Sequence, residues 1–327
     1  PRGAGFPPAT GAVAAAAGSA YHARNMTTCL VIRNPASRRS LDERRLNAAL
    51  DIARSAGWDV TVATTAQENH ATELARDAAA RGVDVIIVNG GDGTINEAIN
   101  GIAGTATALA VLRGGTANVW AGEIHMDRDP VKAMRQITLG ERRRIDVGRA
   151  DGRCFLLMAG IGFDADIVPG VSRRLKRLIG PFAYVAAGVI SVFRAKDRTA
   201  RVRIDGAASE IPVYWMLVSN TRSYGGITDI MFRAEADDGL FDVGVMHRGG
   251  PRRMMLDGIR VLRKRHERSQ NIDYVKARSV AIETPGLPVQ LDGEFWGTTP
   301  MRFEVWPQAV TAIVPAGLRT PLLGGSE

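Results

Sequence analysis

A glycine-rich stretch around one acid is the first place in the chain where chemistry is expected. Residues 88–99 read VNGGDGTINEAI, with glycines at positions 90, 91 and 93 around Asp92. Glycine tolerates positive φ and lets backbone N–H groups approach a ligand that a Cβ atom would block. The helix that follows offers unpaired N–H donors and a partial positive charge. The stretch therefore predicts a cradle for an anion such as phosphate.

Asp92 predicts a cation in this cradle. An acid next to a phosphate repels it unless a cation lies between them, and Mg²⁺ takes carboxylate and phosphate oxygens as ligands. Thr94 and Glu97 have the spacing of a capping box. Their side chains are therefore expected either to cap the helix or to contact the ligand.

The elements that position this stretch alternate between strand and helix. Apolar runs and helical periodicity predict strands at 27–34, 58–65, 83–89 and 107–115, and helices at 41–56, 70–81 and 95–102. The third strand is uniformly apolar, as a sheet covered on both faces requires. The pattern indicates a doubly wound α/β domain with a parallel sheet over residues 26–147, to which residues 300–320 return.

The second half of the chain is mainly β. Turn signals separate strand-like runs at 201–206, 211–220, 240–250, 279–286, 287–295 and 301–315, and helical stretches interrupt them at 171–193 and 251–269. Successive β runs of this kind predict a β-rich, mainly antiparallel domain over residues 148–299.

Composition limits the class of protein. No apolar run approaches the roughly 20 residues that span a bilayer, and the net charge of +8 points to nucleic acid, an anionic membrane or a phosphate-bearing ligand. Cys29 and Cys154 lie in apolar runs and are expected to be buried free thiols, which fits a reducing compartment. Residues 1–25 are rich in Ala, Gly and Pro and are expected to be a disordered or non-native extension, with Met26 as a start; the alternative is a secretion signal, which would need a positive start and a stronger apolar core.

Several motifs, in order along the chain, give a resemblance to a known family. They are RNPASRR at 33–39, Thr65 in TTAQENHATELA, NGGDGTINEAINGI at 89–102, RGGTANVWA at 113–121, AGIGFDADIV, SNTRSYGGITDIMFRAEADDGLFDV and QLDGEF. Together they resemble the diacylglycerol kinase catalytic family, which includes bacterial soluble lipid kinases and sphingosine and ceramide kinases. The resemblance implies a phosphofructokinase-like or NAD-kinase-like α/β domain, a β-rich lipid-substrate domain, and ATP bound between them.

The resemblance implies a set of nucleotide-binding residues. They are mostly short amides, hydroxyls and glycines, which suit phosphate oxygens: Asn34, Pro35, Ala36, Ser37, Arg38, Thr65, Gly91, Asp92, Gly93, Thr94, Ile95, Asn96, Glu97 and Thr116. Arg38 departs from the family, where glycine usually follows the serine of the first loop. Its guanidinium is expected either to pair with a phosphate or to point to solvent.

The resemblance also implies the catalytic acids. Phosphoryl transfer to an alcohol needs an acceptor for the hydroxyl proton, and the family's base lies in the motif that reads LDGE here. Glu294 is the expected base, Asp292 is the metal-linked or alternative base, and Asp92 is the acid of the nucleotide site. The alternative for LDGE is an Asp-Gly turn between two strands.

A structural cation is implied in EADDGLFDV, residues 235–243. Asp238 and the backbone carbonyls of Glu235 and Leu240 would hold Mg²⁺ there, since oxygen ligands suit a hard cation. The alternative is an acidic turn before a strand.

Two basic segments predict a membrane partner. Residues 171–190 interleave Arg173, Arg174, Lys176 and Arg177 with large apolar residues, and residues 251–269 carry seven Lys or Arg against two acids. Such patterns suit anionic lipid; the alternative for each is a solvated helix. Aromatic interleaving of the kind that single-strand binders use is not seen, so nucleic acid is not an expected partner. A homodimer is left open.

The expected function is that of an ATP- and Mg²⁺-dependent lipid kinase, cytoplasmic and peripherally bound to a membrane, that converts diacylglycerol to phosphatidic acid. Ceramide or a sphingoid base is the alternative acceptor. NAD kinases share the Gly-Gly-Asp-Gly turn, but the other motifs argue against a dinucleotide substrate. An alternative of another class is a catalytically silent nucleotide-binding regulator at the membrane, against which Asp92, Asp292 and Glu294 argue.

Overall fold

The computed structural model describes residues 26–162, 198–226, 228–247 and 272–324. Its first layer is a parallel sheet of strands β1 (Thr28–Arg33), β2 (Asp59–Thr64), β3 (Val85–Gly90) and β4 (Ala108–Arg113), in the order β2-β1-β3-β4. The helices of this part are α1 (Glu43–Ser55), α2 (His70–Ala80), α3 (Asp92–Ile102), α4 (Val119–Glu123) and α5 (Pro130–Thr138).

The buried faces of these elements follow the sequence pattern. Every residue of β3 is buried, as expected for a central strand covered on both faces. Asp42 caps α1 by accepting a hydrogen bond from the Arg45 N–H at 2.7 Å. The buried side chains of α1 share one face at helical spacing: Leu46, Ala49, Leu50 and Ala53.

The remaining strands extend this sheet and build a second one. They are β5 (Glu141–Ala150), β6 (Arg153–Phe155), β7 (Met158–Gly162), β8 (Arg198–Ile204), β9 (Ala207–Val213), β10 (Trp215–Ser219), β11 (Ser223–Tyr224), β12 (Thr228–Asp229), β13 (Phe241–Met246), β14 (Ile272–Ala277), β15 (Ser279–Ile282), β16 (Pro288–Leu291), β17 (Glu294–Thr298) and β18 (Met301–Val314). The first sheet continues from β4 through β18, β15, β8 and β9, with β5 on β18 and β6 on β5. The second sheet has the antiparallel order β14-β13-β10-β7-β16-β17.

An aromatic cluster joins the two sheets. Phe155 of β6 stacks on Phe241 of β13, with 5.6 Å between ring centroids, and meets Phe303 of β18 edge-on at 6.5 Å. All three rings are fully buried, and aromatic pairs at these separations add to the free energy gained by burial. The β-rich part therefore has a core of its own between the sheets.

β18 connects the β-rich part to the parallel strands. Thr311 and Ala312 pair in parallel with β4, while residues 301–304 pair antiparallel with β15. The last strand of the chain thus lies within the sheet of the α/β domain.

Two strand predictions are wrong at their boundaries. The expected single strand at 211–220 is two strands in different sheets, because β9 ends at Val213 and β10 begins at Trp215. The expected strand at 287–295 is a hairpin of β16 and β17. Asp292 and Gly293 form its turn with positive φ values of 49° and 87°, as a type I′ turn requires.

Other expectations have mixed outcomes. Cys29 and Cys154 are buried free thiols, as predicted, and burial raises their pKa values to about 12 and about 11. Among the residues described, no helix has the length and apolar character needed to cross a bilayer. Residues 1–25 and the helical stretches expected at 171–193 and 251–269 lie outside the described residues.

Candidate active site

Three loops meet at the C-terminal ends of the parallel strands. Residues 34–38 follow β1, residues 90–93 lead from β3 into α3, and residues 114–118 follow β4. Thr65 directly follows β2, and its N–H donates to the Arg33 carbonyl at 2.9 Å. Ligands of open α/β sheets bind outside the carboxyl ends of the strands. The glycine-rich stretch therefore lies where this fold places ligands.

Close backbone packing explains the glycines of these loops. A Cβ on Gly114 would lie 2.9 Å from the Gly90 nitrogen, and a Cβ on Gly115 would lie 2.7 Å from the Gly91 Cα. Residues 90, 91 and 93 all have negative φ, so the tolerance of glycine for positive φ is not what these positions use. Their value is that they leave room for the second glycine turn and for a ligand.

Asn118 fixes the two glycine turns to each other. Its Oδ1 accepts a hydrogen bond from the Gly115 N–H at 2.6 Å, and its Nδ2 donates to the Gly90 carbonyl at 2.9 Å. Asn118 is fully buried and has a φ of 44°, a left-handed conformation that asparagine tolerates better than most residues. The sequence pattern did not single out this residue, although an asparagine soon after a Gly-Gly-Thr turn is a usable signal.

Asn34 and Ser37 join the first loop to the same cradle. The Nδ2 of Asn34 donates to the Thr94 hydroxyl at 2.8 Å, and its Oδ1 accepts from the Ala36 N–H at 3.0 Å. The Ser37 hydroxyl donates to the Gly114 carbonyl. These hydrogen bonds fix residues 34–38 beside the two glycine turns, where a phosphate would bind.

Of the two alternatives for Thr94 and Glu97, the capping box is wrong and contact with a ligand stays a prediction. Gly91 is the N-cap of α3, so the helix begins at Asp92 rather than at residue 95. The Oε2 of Glu97 instead accepts the Ala71 N–H at 3.1 Å. Glu97 therefore stabilises the N-terminus of α2, where a negative charge is favourable.

The predicted nucleotide residues differ in how far they reach the cleft. Ile95 and Asn96 are 1% and 3% exposed, so their side chains face the protein interior and contribute to a ligand site only through packing. Gly91, Asp92 and Gly93 are partly exposed. Side chains of the other loops that remain exposed are Pro35, Ala36, Arg38 and Thr116.

Asp92 lies in the first turn of α3, beside the second glycine turn. Its Oδ1 accepts a hydrogen bond from the Val119 N–H at 2.8 Å. Burial raises the pKa of Asp92 to about 6, and the hydrogen bond from Val119 opposes that rise. A cation near this carboxylate would favour its ionised form.

Asp292 serves as a junction between the two halves of the chain. Its Oδ1 accepts the N–H groups of Leu157 and Met158 at 2.8 and 3.0 Å, and its Oδ2 accepts the Leu156 N–H at 2.8 Å and the Asn96 Nδ2 at 2.7 Å. Burial raises the pKa of Asp292, and these four donors oppose the rise. Four donors occupy the acceptor positions of the carboxylate, so Asp292 is placed to hold structure rather than to accept a proton from a substrate.

Glu294 begins β17 in the β-rich half, and its side chain reaches the glycine cradle. Its Oε1 would be 2.9 Å from a Cβ on Gly93, and its side chain is 58% exposed. Loss of hydration in the cleft raises the pKa of Glu294, while the guanidinium of Arg153 opposes the rise. An exposed carboxylate with a raised pKa beside a phosphate cradle suits a general base.

Arg153 is a further residue of the cleft that the sequence pattern did not single out. Its Nη2 lies 3.1 Å from the Asn96 Oδ1 and 3.6 Å from the Glu294 Oε2, and its guanidinium lies 4.8 Å from the centre of the Trp296 ring. Arg153 therefore orients Glu294 from the β6 side of the cleft.

Comparisons with known proteins match both halves of this arrangement. Residues 28–150 match the diacylglycerol kinase catalytic domain, and residues 158–314 match the YegS C-terminal NAD kinase beta sandwich-like domain. The chain is 30% identical over 282 residues to a diacylglycerol kinase of Bacillus subtilis (strain 168), which covers 85% of this chain and 93% of that protein. The chain belongs to the diacylglycerol kinase catalytic family. It is also 28% identical over 292 residues to a diacylglycerol kinase of Staphylococcus carnosus (strain TM300), which covers 88% of this chain and 95% of that protein.

A solved structure supports the same membership in this kinase family. A candidate diacylglycerol kinase from Bacillus anthracis str. Sterne superposes with a TM-score of 0.77 at 26% identity, covering 89% of this chain and 96% of that chain. The predicted family, the fold class and the enzyme class of lipid kinase are confirmed.

In this member of the diacylglycerol kinase family, a lysine occupies the region predicted to hold a structural cation. The Lys276 Nζ lies 2.6 Å from the Asp238 Oδ2, 3.2 Å from the Glu235 Oε1 and 3.9 Å from the Asp242 Oδ2. The Oδ1 of Asp238 accepts the Leu240 N–H at 2.9 Å, so both of its oxygens are engaged. The Asp238 carboxylate is therefore already paired, and a divalent cation on it would have to displace the Lys276 ammonium. The structural cation on Asp238 and the backbone carbonyls of Glu235 and Leu240 stays a prediction.

Proposed function

We propose that this kinase transfers the γ-phosphoryl group of ATP to the hydroxyl of diacylglycerol and forms phosphatidic acid. The approach of Glu294 to Gly93 carries the proposal, since the Glu294 Oε1 would lie only 2.9 Å from a Cβ at that glycine. That approach sets a carboxylate from the β-rich part against the helix start that would hold the phosphates. An acceptor hydroxyl beside Glu294, with the phosphates at this helix start, would meet a proton acceptor and a phosphoryl donor together.

The phosphate tail of ATP fits the three loops at the sheet edge. The first N–H groups of α3 have no acceptor within the helix, and its dipole adds a partial positive charge. Gly91 has no side chain to separate a phosphate from this backbone, and Gly115 lets the second glycine turn pack directly against it. Among the predicted contacts, we retain the backbone of residues 91–94, the loop 34–38, and the hydroxyls of Thr65 and Thr116.

Asp92 is the residue that would hold Mg²⁺ with the nucleotide. The donor set fits this ion only in part, because the described residues contain no group of three or more His, Cys, Asp or Glu side chains that could bind a metal. Mg²⁺ commonly takes one carboxylate and completes its shell with phosphate oxygens and water. When bound, the ion would neutralise charge that develops on the phosphate oxygens.

Glu294 would accept the proton of the lipid hydroxyl as its oxygen bonds to the γ-phosphorus. The bond from the γ-phosphorus to the β,γ-bridging oxygen breaks, and ADP leaves with that oxygen. Arg153 keeps the Glu294 carboxylate turned to the cleft, and Asp292 keeps the strand turn that carries Glu294 fixed to α3. These are positioning roles, because neither residue is placed against the reacting atoms.

The choice of diacylglycerol follows the names of the two relatives, and ceramide and sphingoid bases are the alternative acceptors. The membrane is the proposed place of reaction, since the formal charge of +8 would attract anionic lipid. We propose that the protein is cytoplasmic and that the basic segments at 171–190 and 251–269 contact the membrane surface. A homodimer stays open, and nucleic acid is not proposed as a partner.

An acceptor panel tests the proposal. The protein is incubated with Mg²⁺ and ATP labelled at its γ-phosphate, together with diacylglycerol, ceramide, sphingosine or NAD. Label in phosphatidic acid supports the proposal, and label in another lipid moves the assignment within the lipid kinases. Label only in NAD overturns the lipid assignment, and no transfer with retained ATP binding favours the silent regulator.

A further inference from the structure

Two neighbouring aromatic residues are exposed on the strand that begins with Glu294. Phe295 is 46% exposed and Trp296 is 39% exposed. Among the residues described, the other large hydrophobic side chains with this degree of exposure are scattered singly: Met26, Val62, Leu139 and Val275. Single exposed apolar residues need no explanation, whereas two consecutive exposed aromatic residues are a candidate contact surface.

The strand that carries this aromatic pair is an edge strand with an interrupted ladder. β17 is the last strand of the second sheet. Its pairing with β16 shifts register at a bulge: Gly297 and Phe295 pair with consecutive residues of β16, and Trp296 is the extra residue between them. A bulge of this kind re-aims a side chain and also blunts an edge against pairing with another chain. The aromatic pair is therefore better suited to a non-protein phase than to a second copy of the chain.

The pair is fixed relative to the cleft. The Arg153 guanidinium lies 4.8 Å from the centre of the Trp296 ring and 3.6 Å from the Glu294 Oε2. One arginine thus holds both the indole and the carboxylate. Because a strand rises about 3.3 Å per residue, both aromatic residues lie within about 7 Å of Glu294 along the strand.

We propose that Phe295 and Trp296 enter the interfacial layer of the bilayer and bring Glu294 to the depth of the acceptor hydroxyl. The inference rests on the proposed function, because it takes the acceptor to be a lipid that stays in the membrane. The acyl chains of diacylglycerol keep its hydroxyl at the boundary between hydrocarbon and head groups. The residues next to the base must then lie in the same layer, where aromatic rings are favoured.

Vesicle binding by matched variants tests this interaction surface. The full chain and Phe295→Ser are sedimented with vesicles of phosphatidylcholine and phosphatidylglycerol that contain dioleoylglycerol. We expect Phe295→Ser to partition into the vesicles about fivefold to tenfold more weakly, since the substitution removes most of the apolar area that the Phe295 ring would bury in the bilayer. Leu139→Ser is the control, because Leu139 is 76% exposed at the end of α5 and far from β17 in the chain. Equal partitioning of Phe295→Ser and the unchanged protein overturns the proposal.

Fluorescence quenching gives a second measurement of insertion. Vesicles that contain brominated phosphatidylcholine should quench part of the tryptophan emission, and Trp296→Phe should lose that part while its ring still packs against Arg153. Quenching that is equal in Trp296→Phe and the unchanged protein contradicts insertion. Light scattering measures whether the surface holds a second copy of the chain. If Phe295→Ser is a monomer where the unchanged protein is a dimer, and its vesicle binding is unchanged, the surface is a dimer contact and the proposal is overturned.

Failure of this inference can be told apart from failure of the proposed function. If the unchanged protein phosphorylates neither vesicle-bound dioleoylglycerol nor soluble dihexanoylglycerol, the proposed function fails, and with it the stated role of the aromatic pair. If transfer to both occurs and Phe295→Ser handles the vesicles like the unchanged protein, only the membrane role of β17 fails. The inference holds if Phe295→Ser loses transfer to vesicles more than to the soluble lipid.

Discussion

The two acids of LDGE should fail in different ways when each is replaced by its amide. Asp292 accepts four hydrogen bonds from Asn96 and the backbone of residues 156–158, at 2.7 to 3.0 Å, whereas Glu294 is 58% exposed and meets Arg153 at 3.6 Å. Asp292→Asn should therefore weaken the fold, and Glu294→Gln should weaken the chemistry. The pair forms an internal control, since both substitutions remove one charge from the same turn.

The expected loss for Asp292→Asn follows from the donors that it leaves unpaired. An amide nitrogen replaces one carboxylate oxygen and then faces two N–H donors. Each unpaired buried donor costs about 1–3 kcal/mol, so the total is about 3 kcal/mol after relief from burying a charge. For a chain of this size, that loss lowers the Tm by roughly 5 °C or more.

Glu294→Gln is expected to lower turnover and to leave stability nearly unchanged. Loss of a long, exposed contact with Arg153 costs less than about 0.5 kcal/mol, so the Tm should stay within about 1 °C. Turnover should fall about 10²-fold to 10⁴-fold, because a positioned general base supplies that factor. ATP binding should stay unchanged, since Glu294 is not among the proposed phosphate contacts.

Calorimetric unfolding and single-turnover transfer from labelled ATP measure the two effects on the same samples. A Tm for Asp292→Asn equal to that of the unchanged protein would refute the role given to the four hydrogen bonds. Near-normal turnover of Glu294→Gln would remove Glu294 as the base. A large fall in the Tm of Glu294→Gln would show that both acids serve the fold.

Three further outcomes are expected. Burial raises the pKa of Glu123 to about 7 from an ordinary value of 4.5, so the free energy of unfolding should fall by about 3 kcal/mol as pH rises from about 4.5 to about 7. In denaturant titrations, Glu123→Gln should show a smaller fall over this pH range. Equal pH dependence of the variant and the unchanged protein would contradict this prediction. Gly115→Ala should lower ATP affinity at least about tenfold by calorimetry, because its Cβ would lie 2.7 Å from the Gly91 Cα, and unchanged affinity would argue against the cradle. A chelator should leave the Tm of the unchanged protein constant. Lys276→Met should lower the free energy of unfolding by about 1–2 kcal/mol, whereas Lys132→Met, at an exposed position, should not. A Tm that falls with the chelator, together with unchanged stability of Lys276→Met, would support a structural cation.

Local pattern was enough to predict the parallel half of the fold. The buried run of β3, the glycine turn after it and the periodic face of α1 are each decided by neighbours in sequence, and the structure has them close to the expected positions. The passage from β9 to β10 at Tyr214 could not be predicted, because residues 211–218 form one continuous apolar run. Nothing in such a run marks where a chain leaves one sheet for another.

The roles of several site residues depend on contacts between distant parts of the chain. Asp292 bonds to Asn96, 196 positions away, so its part in holding α3 to the β-rich half is invisible to a motif. Thr94 and Glu97 have the spacing of a capping box, but Asn34 and Ala71 bind them instead. Lys276 lies 38 positions from Asp238, and only the folded chain shows that its ammonium stands where a cation was expected.

ATP held at the glycine cradle is expected to give its γ-phosphoryl group to a lipid whose hydroxyl proton passes to Glu294. The most direct measurement follows γ-labelled ATP into the lipids of diacylglycerol-containing anionic vesicles, with ATP binding measured in parallel by calorimetry in the presence of Mg²⁺. We expect labelled phosphatidic acid from the unchanged protein, and ATP binding without labelled lipid from Glu294→Gln. No ATP binding, or equal labelling by both proteins, would contradict the account.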